Sequence, residues 1–190
     1  MKIALVTSNV HKAREVAAFF AGVMDVVHVS LECPEYRDDD VGEIARKKAH
    51  YAYEELGLPL IVDDTAFALP ALNGFPGPYA AYVHKTIGNE GILRLMEGKS
   101  DHTAWFETAI AFADGSGIMI FRGRLDGTVV PPRGSGGFGY DPIFEHEGRT
   151  LAEYPLLEKS GISHRARALS AFRDWILQER PARGAAPVRK

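Results

Sequence analysis

The sequence predicts an α/β fold with a mixed sheet, and three observations carry that prediction. A strand runs straight into a helix at the start of the chain. A compact β-branched run sits at Leu60 to Val62. Two long apolar stretches are joined by a glycine-bearing turn near residue 115. A strand-helix alternation favours parallel pairing, whereas a tight hairpin forces antiparallel pairing, so the sheet has to contain both.

Taken in order, Lys2 to Thr7 places Ile3, Leu5 and Val6 in a short strand, and a helical pattern of Ala13, Val16, Ala17, Phe19 and Phe20 begins after Asn9. Val26 to Leu31 reads as a second strand and the acidic, proline-bearing stretch Glu32 to Asp40 as a loop. From Val41 to Leu56 the spacing predicts an amphipathic helix with Ile44, Lys48, Tyr51 and Leu56 on one face, stopped by Gly57 and Pro59. Leu60 to Val62 reads as a buried strand that ends in Asp63, Asp64 and Thr65.

Leu72 to Pro78 is a turn-rich loop, followed by helical segments at Ala80 to Ile87 and Asn89 to Glu97. Thr103 to Ala113 and Ile118 to Thr128 pair through Asp114-Gly115-Ser116-Gly117. Pro131 to Asp141 is glycine-dense. Ser163 to Gln178 closes the fold as a helix with Ala168, Leu169, Phe172 and Ile176 inward. Residues 1–180 are therefore expected to form one domain, with 181–190 a frayed tail.

Composition narrows the function. With 46% hydrophobic and 25% charged residues, the 190-residue chain is expected to bury a sizeable core. A formal net charge of −3 disfavours a nucleic-acid partner, since binding a phosphate backbone needs clustered Lys and Arg. The single cysteine, Cys33, excludes an internal disulfide and a thiolate zinc cage. No secretion signal and no membrane-length apolar run is evident, so the expected location is cytoplasmic, with no membrane partner.

Four segments carry chemistry. Thr7, Ser8, Asn9 and Lys12 lie between strand and helix, where free N–H groups and the helix dipole hold an anion; the same residues also suit a plain helix cap. Glu35, Asp63 and Asp64 supply the carboxylate oxygens that hard Mg²⁺ prefers, although Asp63-Asp64-Thr65 could equally cap the next segment. Phe138, Gly139, Tyr140 and Asp141 place aromatics among flexible glycines, either as a stacking platform for a purine or as core residues of a turn. Lys159, His164 and Arg165 crowd three donors before the last helix, for which Ser163 is a plausible N-cap.

This ordered set, with Val62-Asp63-Asp64-Thr65, Ala71 to Tyr79, Gly137 to Pro142 and Ile162-Ser163-His164-Arg165, resembles the inosine triphosphate pyrophosphatase family, also described as dITP/XTP pyrophosphatases. The resemblance covers almost the whole chain. It implies an elongated mixed sheet flanked by helices, two lobes around a nucleotide-binding cleft, and a homodimer. It also implies that the chain hydrolyses deaminated purine nucleoside triphosphates (ITP, dITP, XTP) to monophosphate and pyrophosphate with Mg²⁺. Asp64 is then the catalytic base, Glu35 and Asp64 hold the metal, and Thr7 to Lys12, Lys48 and Thr65 contact substrate. Phe138 to Asp141, Lys159, His164 and Arg165 match the nucleoside-binding positions, with the three donors directed at a 6-oxo group. At Ala81 the chain departs from relatives that carry a basic residue there, and at Ala66 from a common glycine. A Maf-type pyrophosphatase for modified nucleotides and a non-catalytic nucleotide-binding module are the competing readings; the Ser163-His164-Arg165 ending weighs against the first and the acidic residues against the second.

Overall fold

A computed structural model describes residues 2–183. Strand β1 (Lys2–Val6) leads into helix α1 (Val10–Phe20), and the crossover returns as β2 (Asp25–Val29), parallel to β1. Helix α2 (Val41–Leu56) carries the chain back to β3 (Leu60–Ala68), parallel to the other side of β1. After a 3-10 turn at Pro70–Leu72 and the short β4 (Pro76–Gly77) comes α3 (Ala80–Met96). The hairpin β5 (Thr103–Asp114) and β6 (Gly117–Val129) adds to β3 in antiparallel register. β7 (Phe144–His146), β8 (Arg149–Thr150), α4 (Leu156–Ile162) and α5 (His164–Arg183) complete the chain. The sheet order is β2-β1-β3-β5-β6-β7-β8, with β4 beside β3.

Local chemistry sets several of these boundaries. The Asn9 side chain accepts from the amides of His11 and Lys12 and starts α1. Gly57 adopts the left-handed conformation, φ 61°, that closes α2. Gly88, with φ 62° and ψ −169°, breaks α3 into the two helical segments expected from the sequence.

The sheet has two faces and a far end, each with its own core. Ile3, Leu5 and Ile61 meet Val16 and Phe20 of α1 and Leu169 and Phe172 of α5. On the opposite face Ala4, Val6 and Val62 meet Val41, Ala45, Ala49 and Ala52 of α2. A third cluster, with Phe67, Ile92, Phe106, Tyr140 and Phe144, fills the lobe around α3 and the 131–155 segment.

The structure corrects the sequence reading in several places. Asp63, Asp64 and Thr65 do not end a strand: β3 continues to Ala68 because β5 pairs with it along its whole length. The buried residues of α2 are Val41, Gly42, Ile44, Ala45, Ala49 and Ala52, so of the expected face Ile44 is buried while Lys48, Tyr51 and Leu56 are only partly covered. β2 stops at Val29, two residues early, because β1 has no residue left to pair. The backbone of α5 runs to Arg183, past the expected frayed boundary at 180, and the rest of the expected tail, 184–190, lies outside the described residues. No helix among the described residues is long and apolar enough to cross a membrane.

Candidate functional site

Strand β1 ends at Val6, which pairs with Val62, and on that edge β3 has no strand partner again until β4 pairs with Phe67 and Ala68. The gap above the carboxyl end of β1 is therefore open. It lies where the crossovers through α1 and α2 leave on opposite faces of the sheet, the usual place for a ligand in such folds. A cleft of about 780 Å³ occupies it, lined by Thr7, Ser8, Asn9, Lys12, Glu35, Lys48, Asp63, Asp64 and Thr65 from one side. Phe138, Gly139, Tyr140, Asp141, Lys159, His164 and Arg165 line it from the other. Every site residue expected from the sequence thus borders one cavity.

The alternation of side chains along a strand separates the two adjacent acids. Ile61 packs on the α1 and α5 face and Val62 on the α2 face, so Asp63 follows the first and Asp64 the second. Asp63 is buried and meets Lys12 Nζ at 2.7 Å and Arg165 Nε at 2.6 Å. Burial alone would raise its pKa, but Arg165 and Lys12 outweigh burial and hold the carboxyl far below the usual range. Asp64 faces Lys48 of α2, with Nζ 2.9 Å from Oδ1. Its burial wins against the pull of Lys12 and Lys48, so its pKa is raised. Asp64 Oδ2 is buried with no hydrogen-bond partner among the described residues. Glu35 is almost fully exposed on its loop, 3.8 Å from Lys48 Nζ.

At the other wall the expected donors are already engaged. Lys159 Nζ lies 2.5 Å from Glu15 and 2.6 Å from Asp141, and Arg165 binds Asp63, Thr65 and Glu15. Neither is a free donor in this arrangement, contrary to the sequence expectation, because Glu15 on α1 stands between them. His164 is buried, its pKa held well below 6.5 first by desolvation and then by Arg165 and Lys159. Its Nδ1 lies 2.6 Å from Thr108 Oγ1.

Asp141 Oδ2 accepts from the Phe138 amide at 2.6 Å, fixing the glycine-rich turn, and the Phe138 ring stacks on His11 with centroids 5.1 Å apart. Tyr140 is a core residue whose hydroxyl donates to the Ala80 carbonyl, so its polar tip is not free for substrate. The turn after β1 is partly self-satisfied: Asn9 Oδ1 takes the amides of His11 and Lys12, and Thr7 Oγ1 takes that of Asn9. Ser163 Oγ accepts from the Ala166 amide at 3.1 Å, as an N-cap should. The sequence reading missed Glu15 and Thr108, and took His11 only as part of the Thr7 to Lys12 turn, without its stacking on Phe138. For His11 a signal existed, an aromatic ring inside the turn motif; for Glu15 and Thr108 only the folded chain supplies the partner.

Among known proteins, a sequence model described as the Ham1 family matches residues 3–175. The dITP/XTP pyrophosphatase of Thermococcus kodakarensis is 44% identical over 180 residues, covering 93% of this chain and 97% of that protein. The inosine triphosphate pyrophosphatase of Emericella nidulans is 38% identical over 179 residues, covering 93% and 97%. Among solved structures, a HAM1 protein from Coxiella burnetii superposes with a TM-score of 0.83 at 29% identity, over 94% of this chain and 99% of that one.

Proposed function

The chain belongs to the Ham1 family, and from that membership and the cleft we propose that it hydrolyses ITP, dITP and XTP to the monophosphate and pyrophosphate. The observation that carries the reading is Asp64 Oδ2, a carboxylate oxygen buried at the carboxyl end of β1 with no hydrogen-bond partner among the described residues. A buried acceptor left unpaired costs free energy unless a ligand uses it. Its raised pKa also suits a group that accepts a proton.

In the proposed mechanism Asp64 orients and deprotonates the water that attacks the α-phosphorus, and pyrophosphate leaves in one piece. Lys48, already beside Asp64, balances charge on the α2 side, and Lys12 does so from the α1 side, where Asp63 holds it. Glu35 and Asp64 form a set fit for Mg²⁺, which takes one or two carboxylates with water and substrate phosphates rather than a full protein cage. Bound there, the ion supplies charge neutralisation and lowers the pKa of a coordinated water. Phe138, beside His11, is proposed to bear the purine. A homodimer and a cytoplasmic location belong to the same proposal, and the exposed Phe75, Tyr79 and Tyr82 at the head of α3 offer an apolar surface for pairing.

The test is pyrophosphate release from ITP, dITP, XTP, GTP and ATP, each with and without Mg²⁺. The expected result is metal-dependent release from the deaminated nucleotides. Equal turnover of ATP and ITP refutes the specificity, and no release from any nucleotide refutes the activity.

A further inference from the structure

Behind the cleft wall, four side chains form a line whose direction can be worked out. Thr65 Oγ1 lies 3.3 Å from Asp63 Oδ1, 3.2 Å from Arg165 NH2 and 2.8 Å from Thr108 Oγ1. Thr108 Oγ1 is 2.6 Å from His164 Nδ1. Period-2 placement brings them together: Thr65 and Thr108 are register partners on β3 and β5, and both face α5. Thr108 is fully buried, so no water competes at its hydroxyl, while Thr65 is partly covered at the cleft wall.

Each hydroxyl has one proton to give. The Asp63 carboxylate, held ionised by Lys12 and Arg165, only accepts, and the Arg165 guanidinium only donates. Thr65 therefore gives its proton to Asp63 and accepts from Arg165 and Thr108. Thr108, having given its proton to Thr65, must accept from the histidine. The opposite direction leaves Asp63 and Thr65 oxygens in contact with no proton between them, one hydrogen bond fewer, and is disfavoured.

We propose, on the reading that the substrate is a 6-oxopurine nucleotide, that Thr108 is a positioning residue that holds neutral His164 as its Nδ1–H tautomer, so that Nε2 meets the base as a bare acceptor. Nε2 has no partner among the described residues. Nor is it one of the two buried side-chain polar atoms left unpaired, so it keeps access to the cleft that His164 lines. The plane of the imidazole is set by its stacking on Phe106, with centroids 4.6 Å apart and an interplanar angle of 22°.

The consequence reverses the role expected from the sequence. His164 does not give a proton to O6; it takes the N1–H that hypoxanthine and xanthine carry in their lactam forms. Adenine presents a lone pair at N1, and two acceptors face each other. Guanine also carries N1–H, so this contact separates 6-oxo from 6-amino purines and leaves guanine to other groups.

Three measurements on the full chain test this. Two-bond ¹⁵N–¹H correlation spectra of histidine-labelled protein, with His164 assigned by its loss in His164→Asn, report which nitrogen bears the proton; Nδ1–H is expected, and Nε2–H overturns the proposal. Thr108→Val should mix the tautomers and lower the ITP-to-ATP ratio of kcat/KM by about 10-fold, mostly through KM for ITP, while Thr108→Ser restores both. A folded Thr108→Val protein with an unchanged ratio overturns it. On the wild-type enzyme, 1-methyl-ITP keeps O6 but lacks N1–H and should lose a similar factor, whereas turnover equal to ITP overturns the acceptor role. Absence of pyrophosphate from ITP itself sinks the activity reading instead, and the tautomer spectrum is read independently of it.

Discussion

Gly123→Ala tests whether the packing of α5 sets the geometry of the cleft. Gly123 lies on the row of β6 that faces α5, where the helix begins with His164 and Arg165. A β-carbon built there falls 2.2 Å from the His164 carbonyl oxygen, 2.4 Å from the Ala168 amide nitrogen and 2.8 Å from the Arg167 β-carbon. The first two are backbone atoms, so no rotamer change relieves them. The first turn of α5 has to move out by about 1 Å to reach ordinary contact, an overpacking that costs about 1–3 kcal/mol. The same shift carries His164 away from Thr108 and Arg165 away from Asp63, and a misplacement of about 1 Å in a positioning group costs up to about 10²-fold in rate. Urea unfolding measures the first effect and steady-state pyrophosphate release from ITP the second. Gly161→Ala on α4 is the control: its β-carbon meets nothing within 4 Å, and the helix should gain about 0.5–1 kcal/mol with unchanged kinetics. A Gly123→Ala protein with wild-type stability and turnover refutes the claim that this contact seats the helix.

The two adjacent acids should respond differently to the same change. Asp64→Asn is expected to lower turnover by about 10²- to 10⁴-fold while the protein stays folded, since burial already disfavours its charge; wild-type turnover removes Asp64 from the mechanism. Asp63→Asn leaves Lys12 without its carboxylate and Arg165 with Glu15 alone, and should cost about 3–5 kcal/mol in denaturant unfolding; a loss below 1 kcal/mol would show that the pair is not an anchor. His164 is held below 6.5 by burial, so between pH 7.5 and 5.5 the unfolded chain takes up its proton first and stability falls on acidification. The slope approaches about 1.4 kcal/mol per pH unit below 6.5, and His164→Gln should lose that component. Chelation of divalent ions should abolish pyrophosphate release and Mg²⁺ should restore it; release that persists in excess chelator rejects the proposed cofactor.

Much of the first half of the fold was legible because its signals are local. Asn9 as a cap, Gly57 as a stop and the Asp114 to Gly117 turn each act within a few residues, and the structure places all three as read. Asp63-Asp64-Thr65 looked like a strand end because three polar residues interrupt an apolar run. The strand persists because β5, some forty residues later, pairs with it throughout, and its buried polar groups meet Arg165, Lys12 and Lys48. The 144–162 stretch gave no periodicity, since its strands have three and two residues and α4 has seven. Every residue expected at the site lines the cleft, but the partners of those residues were not legible. Glu15 sits 144 residues from Lys159 and 150 from Arg165, a distance over which no sequence pattern reports pairing.

That pairing changes how the cleft must bind an anion. Counting formal charges on its lining, Lys12, Lys48, Lys159 and Arg165 face Glu32, Glu35, Asp63, Asp64 and Asp141, so the wall is acidic before any ligand arrives. Each of the four cations already has a carboxylate within 3 Å. A polyanionic triphosphate therefore finds no spare positive side chain in this lining and meets net repulsion from the acids on the α2 side. That repulsion is not spread evenly around the cleft. Asp63, Glu15 and Asp141 are neutralised by Lys12, Arg165 and Lys159 on the α1 and α5 side, which leaves the excess charge on Glu32, Glu35 and Asp64 around Lys48. The acidic excess is thus concentrated where the phosphate groups and the attacking water are proposed to lie. A divalent cation is the simplest species that converts this excess from an obstacle into a binding site, and on that argument nucleotide affinity itself, not turnover alone, should depend on the ion. Isothermal titration of the Asp64→Asn protein with ITP, with and without Mg²⁺, separates the two: its ion-free affinity should exceed that of wild type because one repelling charge is gone, and an ion-free affinity equal to wild type would contradict the electrostatic argument.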